Sequence, residues 1–181
     1  MDYETKPTSR NNLRNFAKEC RKLFDVPLTG PFPVLEALEK LPDVLPNCNY
    51  VVLEDDDFPS NVMARCYFND SNGMTIEIRD SVYTAAYENG VGMCLDFICH
   101  EICHVFLFFI GFVPLFDRAF KNSELPAYKS IEWQAKALCG ELMIPYADSI
   151  GLTKKEIISR YHVSEASAKV RIALDKNSTA M

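Results

Sequence analysis

Residues 94–112, CLDFICHEICHVFLFFIGF, decide how this chain is read. Nearly every side chain in the stretch is apolar or aromatic, yet its centre carries His100, Glu101 and His104, groups that cost free energy to bury without partners. The stretch is read as a helix that starts soon after Asn89–Gly90 and is closed by Gly111 and Pro114. Positions four apart on a helix differ by about 40° around its axis, so both imidazoles project from one face, while Glu101 is turned about 100° from His100. His-Glu-x-x-His on a helix lets two imidazoles share one divalent ion, with the carboxylate beside the water on that ion. If packing were the only reason for burying the three groups, each would need its own hydrogen-bond partner. One cation and its water serve all three, and the apolar flanks become a dry wall around the ion.

A catalytic zinc takes three protein ligands and keeps a fourth position for water, so a third ligand is expected downstream. Leu107 and Ile110 stand where an extended His-Glu-x-x-His-x-x-Gly-x-x-His motif would need Gly and His, which excludes that class. Glu132 is the better candidate: it lies on the first turn of a helix read from IEWQAKALCGELMI, far enough along for that helix to fold back beside the first. The competing account of Glu132 is a first-turn glutamate stabilised by the helix dipole. Asp96, four residues before His100, has two similar readings: a partner that orients the imidazole, or a first-turn carboxylate, and the second is favoured.

Working outward, Leu13, Phe16, Ala17, Cys20 and Phe24 mark an amphipathic helix starting at Ser9, and Val34, Leu35, Leu38 and Leu41 mark a second that stops at Pro42. CNYVVLE (48–54), NVMARCYF (61–68) and MTIEIR (74–79) read as strands, with Asn72-Gly73 as a hairpin turn between the last two. The acidic EDDD run after the first strand reads as a solvated loop. Asp80 or Ser81 is expected to cap a short helix through VYTAAYE, which Gly90 ends. In the tail, Thr153 with Glu156 forms a capping box and Ser164 caps a last helix.

Several of these segments together resemble the ImmA/IrrE family of zincin-like metallopeptidases. IEIRDSVYTAAYENG resembles the family's lead-in, HEICH its metal helix, IEWQAKALCGELMIP its E-x-x-A signature and YHVSEASAKVRI its tail, covering about residues 74–173. The resemblance implies an α+β zincin-like fold with a small, mostly antiparallel three-stranded sheet packed against several helices. It divides the chain into an N-terminal helical segment (1–47), a catalytic core (48–146) and a helix-turn-helix-like tail (147–181) docked on the same domain. It implies Zn²⁺, with Mn²⁺ as the alternative, held by His100, His104 and Glu132, and Glu101 as the catalytic acid/base of peptide hydrolysis. The implied substrate is a helix-turn-helix repressor in a phage or mobile-element setting. Cys103 stands where the family commonly has Gly, Phe97 where it has Thr, Leu95 where it has a basic residue, and Cys139 and Gly140 where it has alanines.

No residue identifies the group that would stabilise the oxyanion. Tyr83, Tyr87, Tyr128, Tyr146, His162 and Arg171 are candidates, each with a structural role as the favoured reading. Strand addition along MTIEIR, taken as an edge strand, is the expected way to hold an extended substrate.

Composition limits the alternatives. The 181 residues carry a net charge of −6, with 48% hydrophobic and 24% charged side chains, which is the balance of one folded domain with a substantial core. The acidity disfavours nonspecific binding to DNA or anionic membranes. Residues 151–181 are the exception, with six basic side chains against three acidic ones, a local balance of +3. The tail is therefore read as docked through Ile157, Ile158, Val163, Val170 and Ile172, with DNA binding through Lys169 and Arg171 as the rival. Seven cysteines without a CxxC pair fit a reducing cytoplasm. A polar N-terminus and an apolar run of twelve residues at VFLFFIGFVPLF lead to the expectation of neither export nor a membrane anchor. A catalytically inactive zincin-like binding module remains a third functional class.

Overall fold

A computed structural model describes residues 2–113 and 125–179, with the side chains of 176–179 excluded. Pro114, one of the two expected helix terminators, lies outside the described residues. The architecture is α+β: eight α-helices surround one three-stranded sheet among the described residues.

Helix α1 (Arg10–Leu23) is capped by Ser9, whose side chain accepts from the Asn12 N–H. Helix α2 (Val34–Val44) runs through Pro42 instead of stopping there. Proline lacks an N–H and crowds the preceding turn, but here it falls in the final turn, and the helix ends two residues later.

The sheet comprises β1 (Asn49–Leu53), β2 (Ala64–Phe68) and β3 (Met74–Arg79), in the order β1-β3-β2. The β2–β3 hairpin is antiparallel and β1–β3 is parallel, so the sheet is mixed where a mostly antiparallel one was expected. Strand β3 is central, which corrects its reading as an edge; Ile76 and Ile78 are both fully buried. β2 and β1 form the edges. Arg65 stands opposite Glu77 in the hairpin and pairs with it at 2.6 Å.

Helix α3 (Asp80–Asn89) is not capped by Asp80 or Ser81. Its N-cap residue is Arg79, and the Ser81 N–H donates to Asp55 Oδ1, 26 positions earlier. The acidic run after β1 thus supplies a cap from a distance. Gly90 ends α3 in the left-handed region at φ +59°, and α4 (Gly92–Phe109) follows at once.

Helix α4 is long and apolar enough to cross a membrane by length and composition alone. In the structure it runs between α2, α3, α5 and the sheet, and Ile98, Cys99, Ile102, Cys103, Val105 and Leu107 are fully buried. A helix apolar all round belongs at the centre of a core as well as in a bilayer.

Helix α5 (Ile131–Met143) packs between α1 and α4 and is capped by Ser130, which accepts from the Trp133 N–H. The chain's beginning clamps this first turn: Thr5 N–H donates to Lys129 O, Ile131 N–H to Tyr3 O, and Ser130 Oγ donates to Asp2 Oδ2. A short helix α6 (Tyr146–Ser149) leads to α7 (Lys154–Tyr161), with the Thr153–Glu156 capping box in place, and to α8 (Glu165–Thr179). Ile157, Tyr161, Val163 and Ala168 join the same buried cluster as Leu13 and Ile98.

The α7–α8 turn lies directly on the start of α4. A Cβ added to Gly92 would meet Val163 C at 2.5 Å and Val163 O at 2.7 Å, and backbone cannot swing aside as a flexible side chain can. Gly92→Ala is therefore expected to lower stability by about 1–3 kcal/mol, the range for overpacking, read as a lower urea midpoint with unchanged slope.

Candidate metal centre

Packing of α4 against α2, α3, α5 and the sheet fixes its rotation, and that rotation sets the two imidazoles toward α5. His104 Nε2 and His100 Nε2 lie 3.1 Å apart. The Glu132 carboxylate closes the triangle, with Oε2 at 3.3 Å from His100 Nε2 and Oε1 at 3.4 Å from His104 Nε2. The three ligand atoms all lie within 4.8 Å of one another. The structure thus brings together residues separated by a long stretch of chain. The Asp2 side chain helps to hold the third one, since the Glu132 N–H donates to Asp2 Oδ1 at 3.3 Å.

The electrostatics follow from this packing. Hydrogen bonds from His100 and then His104 hold the Glu132 carboxyl far below the usual carboxylate range, against its partial burial. Burial works against a charged His100, but the hydrogen bond to Glu132 and the charge of Glu101 outweigh it and raise its pKa. The cluster is a carboxylate held ionised beside two imidazoles, which is the donor chemistry of a divalent cation site.

Glu101 is not part of the triangle. It lines a cleft of about 930 Å³ together with His100 and Glu132, as well as Met63, Trp133 and Lys136. Cys66 of β2 also lies against it; burial and then the charge of Glu101 push that thiol up.

Asp96 does not touch the imidazoles. Its Oδ2 accepts from Ser167 Oγ at 2.7 Å and from the Ser164 N–H at 3.4 Å, so it joins α4 to the first turn of α8. Burial outweighs these bonds and raises its carboxyl pKa.

Of the six side chains considered for the oxyanion, only Arg171 lines the cleft. It is 2% exposed, and its guanidinium donates to Gly140 O, Ile144 O and Glu141. Tyr83 stacks between Tyr50 and Tyr87 on α3. Tyr146 lies under Arg14, 3.7 Å from its guanidinium carbon. His162 is the left-handed C-cap of α7. The buried Arg171 is also withdrawn from any DNA-facing surface, and Lys154 and Lys169 both pair with Glu165.

Val170, expected in the docking face of the tail, is 55% exposed and lines the cleft. Lys136, one turn beyond Glu132 and so on the same face of α5, also lines the cleft.

A second cluster involves the same two helices. Cys99 and Cys103 each precede a histidine of the motif, and their Sγ atoms lie with that of Cys139 within 4.8 Å of one another.

Compared with known proteins, the chain matches no family model and no curated protein.

Proposed function

We propose that this chain is a zinc-dependent endopeptidase of zincin-like fold whose metal is held by His100, His104 and Glu132. One observation carries the proposal. Donors about 2.0–2.2 Å from a tetrahedral zinc sit about 3.4 Å from one another; here the two imidazole nitrogens are 3.1 Å apart, and each has its own Glu132 oxygen beside it, Oε2 at 3.3 Å from His100 and Oε1 at 3.4 Å from His104. The donor set of two imidazoles and one carboxylate leaves a fourth position for water, as catalytic zinc sites do. Zinc bound there would lower the pKa of that water to about 7 and polarise a carbonyl.

The protein's own groups supply the rest. Glu101, in the same cleft but outside the ligand triangle, would be the group that accepts a proton from the attacking water and returns it to the leaving nitrogen. Residues 61–64, leading into edge strand β2, line the cleft, so an extended peptide could add to β2 through backbone hydrogen bonds. The resemblance to ImmA/IrrE peptidases adds the substrate class, a helix-turn-helix repressor, and the seven cysteines without a CxxC pair favour a cytoplasmic setting.

The protein incubated with zinc and desalted is expected to retain one equivalent by elemental analysis. Glu132→Ala is expected to weaken that affinity by more than about 100-fold, beyond the range for groups that only orient ligands. Retention of no divalent metal, or an affinity unchanged by Glu132→Ala, would sink the assignment. Cleavage of a purified helix-turn-helix repressor, mapped by mass spectrometry, tests the substrate class separately.

A further inference from the structure

The pairing of α4 with α5 repeats itself in sulfur. His100 and His104 are completed by Glu132 near the start of α5; Cys99 and Cys103, one position earlier on α4, are completed by Cys139 two turns further along α5. We propose that Cys99, Cys103 and Cys139 form a second metal site, selective for the soft cation Cu(I).

Three features of the cluster support a site over simple packing. The first is convergence. Three sulfurs each about 2.3 Å from a central ion, the length of a zinc–thiolate bond, would sit about 4 Å apart, and these three lie within 4.8 Å of one another with no backbone change. The second is donor type. A further sulfur, Met143 Sδ, lies 3.7 Å from Cys139 Sγ, with the Asp96 carbonyl oxygen at 3.8 Å from the same atom; thiolate and thioether are the soft donors that Cu(I) takes, and a thioether falls outside the thiolate, imidazole and carboxylate set of zinc. The third is access. Cys99 and Cys103 are fully buried, but Cys139 is 9% exposed and lines the cleft shared by His100 and Glu132, so an ion can reach the sulfurs without unfolding the core.

Binding needs no electron transfer. Cu(I) enters as the reduced ion, two thiols release their protons to solvent as copper–sulfur bonds form, and the remaining sulfurs act as neutral donors. The site is independent of the peptidase reading, because none of its ligands belongs to the His100, His104 and Glu132 set.

The test titrates the anaerobic, metal-free protein against Cu(I) held by bicinchoninate. The expected result is withdrawal of one equivalent, with copper X-ray absorption showing sulfur neighbours only. Cys139→Ala and Cys139→Ser should abolish the uptake, and the His100→Ala/His104→Ala double variant should retain it. No withdrawal by the wild-type protein, nitrogen in the copper shell, or uptake unaffected by both Cys139 variants would overturn the proposal. The absorption measurement uses wild-type protein, so it decides the matter even if a Cys139 variant fails to fold.

Discussion

Glu101→Gln is expected to lower kcat for peptide hydrolysis by about 10²–10⁴-fold, the contribution of a positioned acid/base, while zinc content stays at one equivalent. The amide matches the carboxylate in shape but cannot take a proton from water. Because Glu101 lies outside the triangle of His100, His104 and Glu132, the substitution removes no ligand. KM should change far less than kcat, since the lost interaction belongs to the transition state. Loss of zinc from Glu101→Gln would instead make Glu101 part of the metal cage. Full activity with full zinc content would remove it from the mechanism.

The second large effect concerns stability. Glu141 on α5 is 2% exposed and is held by Arg14 at 2.9 Å, Arg171 at 3.3 Å and Arg10 at 3.4 Å, joining α1 and α8 to the helix that carries Glu132. Glu141→Gln leaves the buried Arg171 without its counter-charge. Breaking a buried pair from one side costs about 3–5 kcal/mol, or roughly 6–20 °C in Tm for a chain of this size.

The pH dependence has a definite sign. Burial alone would raise the Glu141 carboxyl, but Arg14 and Arg171 outweigh it and hold the pKa below its ordinary value of 4.5. A depressed carboxylate pKa contributes stability that is fully present above the unfolded value and is lost as pH falls through the folded one. Wild-type Tm should therefore fall steeply below about pH 4.5, and Glu141→Gln should show a shallower fall. Parallel acid profiles for the two proteins would place the acid-sensitive group elsewhere.

What could be read from the sequence was local. The Thr153–Glu156 box and Ser164 act within one helical turn, and each caps where its spacing predicts; Ser9 caps the helix read as starting there. The four-residue spacing of His100 and His104 likewise determines that they share a face. Features set by distant contacts were hidden. The parallel pairing of β1 with β3 depends on which strand enters the middle of the sheet, and the alternation within each strand does not encode that choice. The cap on α3 comes from Asp55, and the partners of Asp96 lie on α8; neither can be seen without the fold. Cys99 and Cys103 show the same spacing as the histidines, but only the packing of α5 reveals that Cys139 meets them.

The clamp on the first turn of α5 also divides the site into a local and a non-local part. Asp2 and Ser130, joined by a hydrogen bond, are 128 residues apart, and closing so long a loop carries an entropic cost that local helix formation does not. Placing the two histidines on one face needs only that α4 is helical, whereas the turn bearing Glu132 is also held by contacts with a segment from far away in the chain.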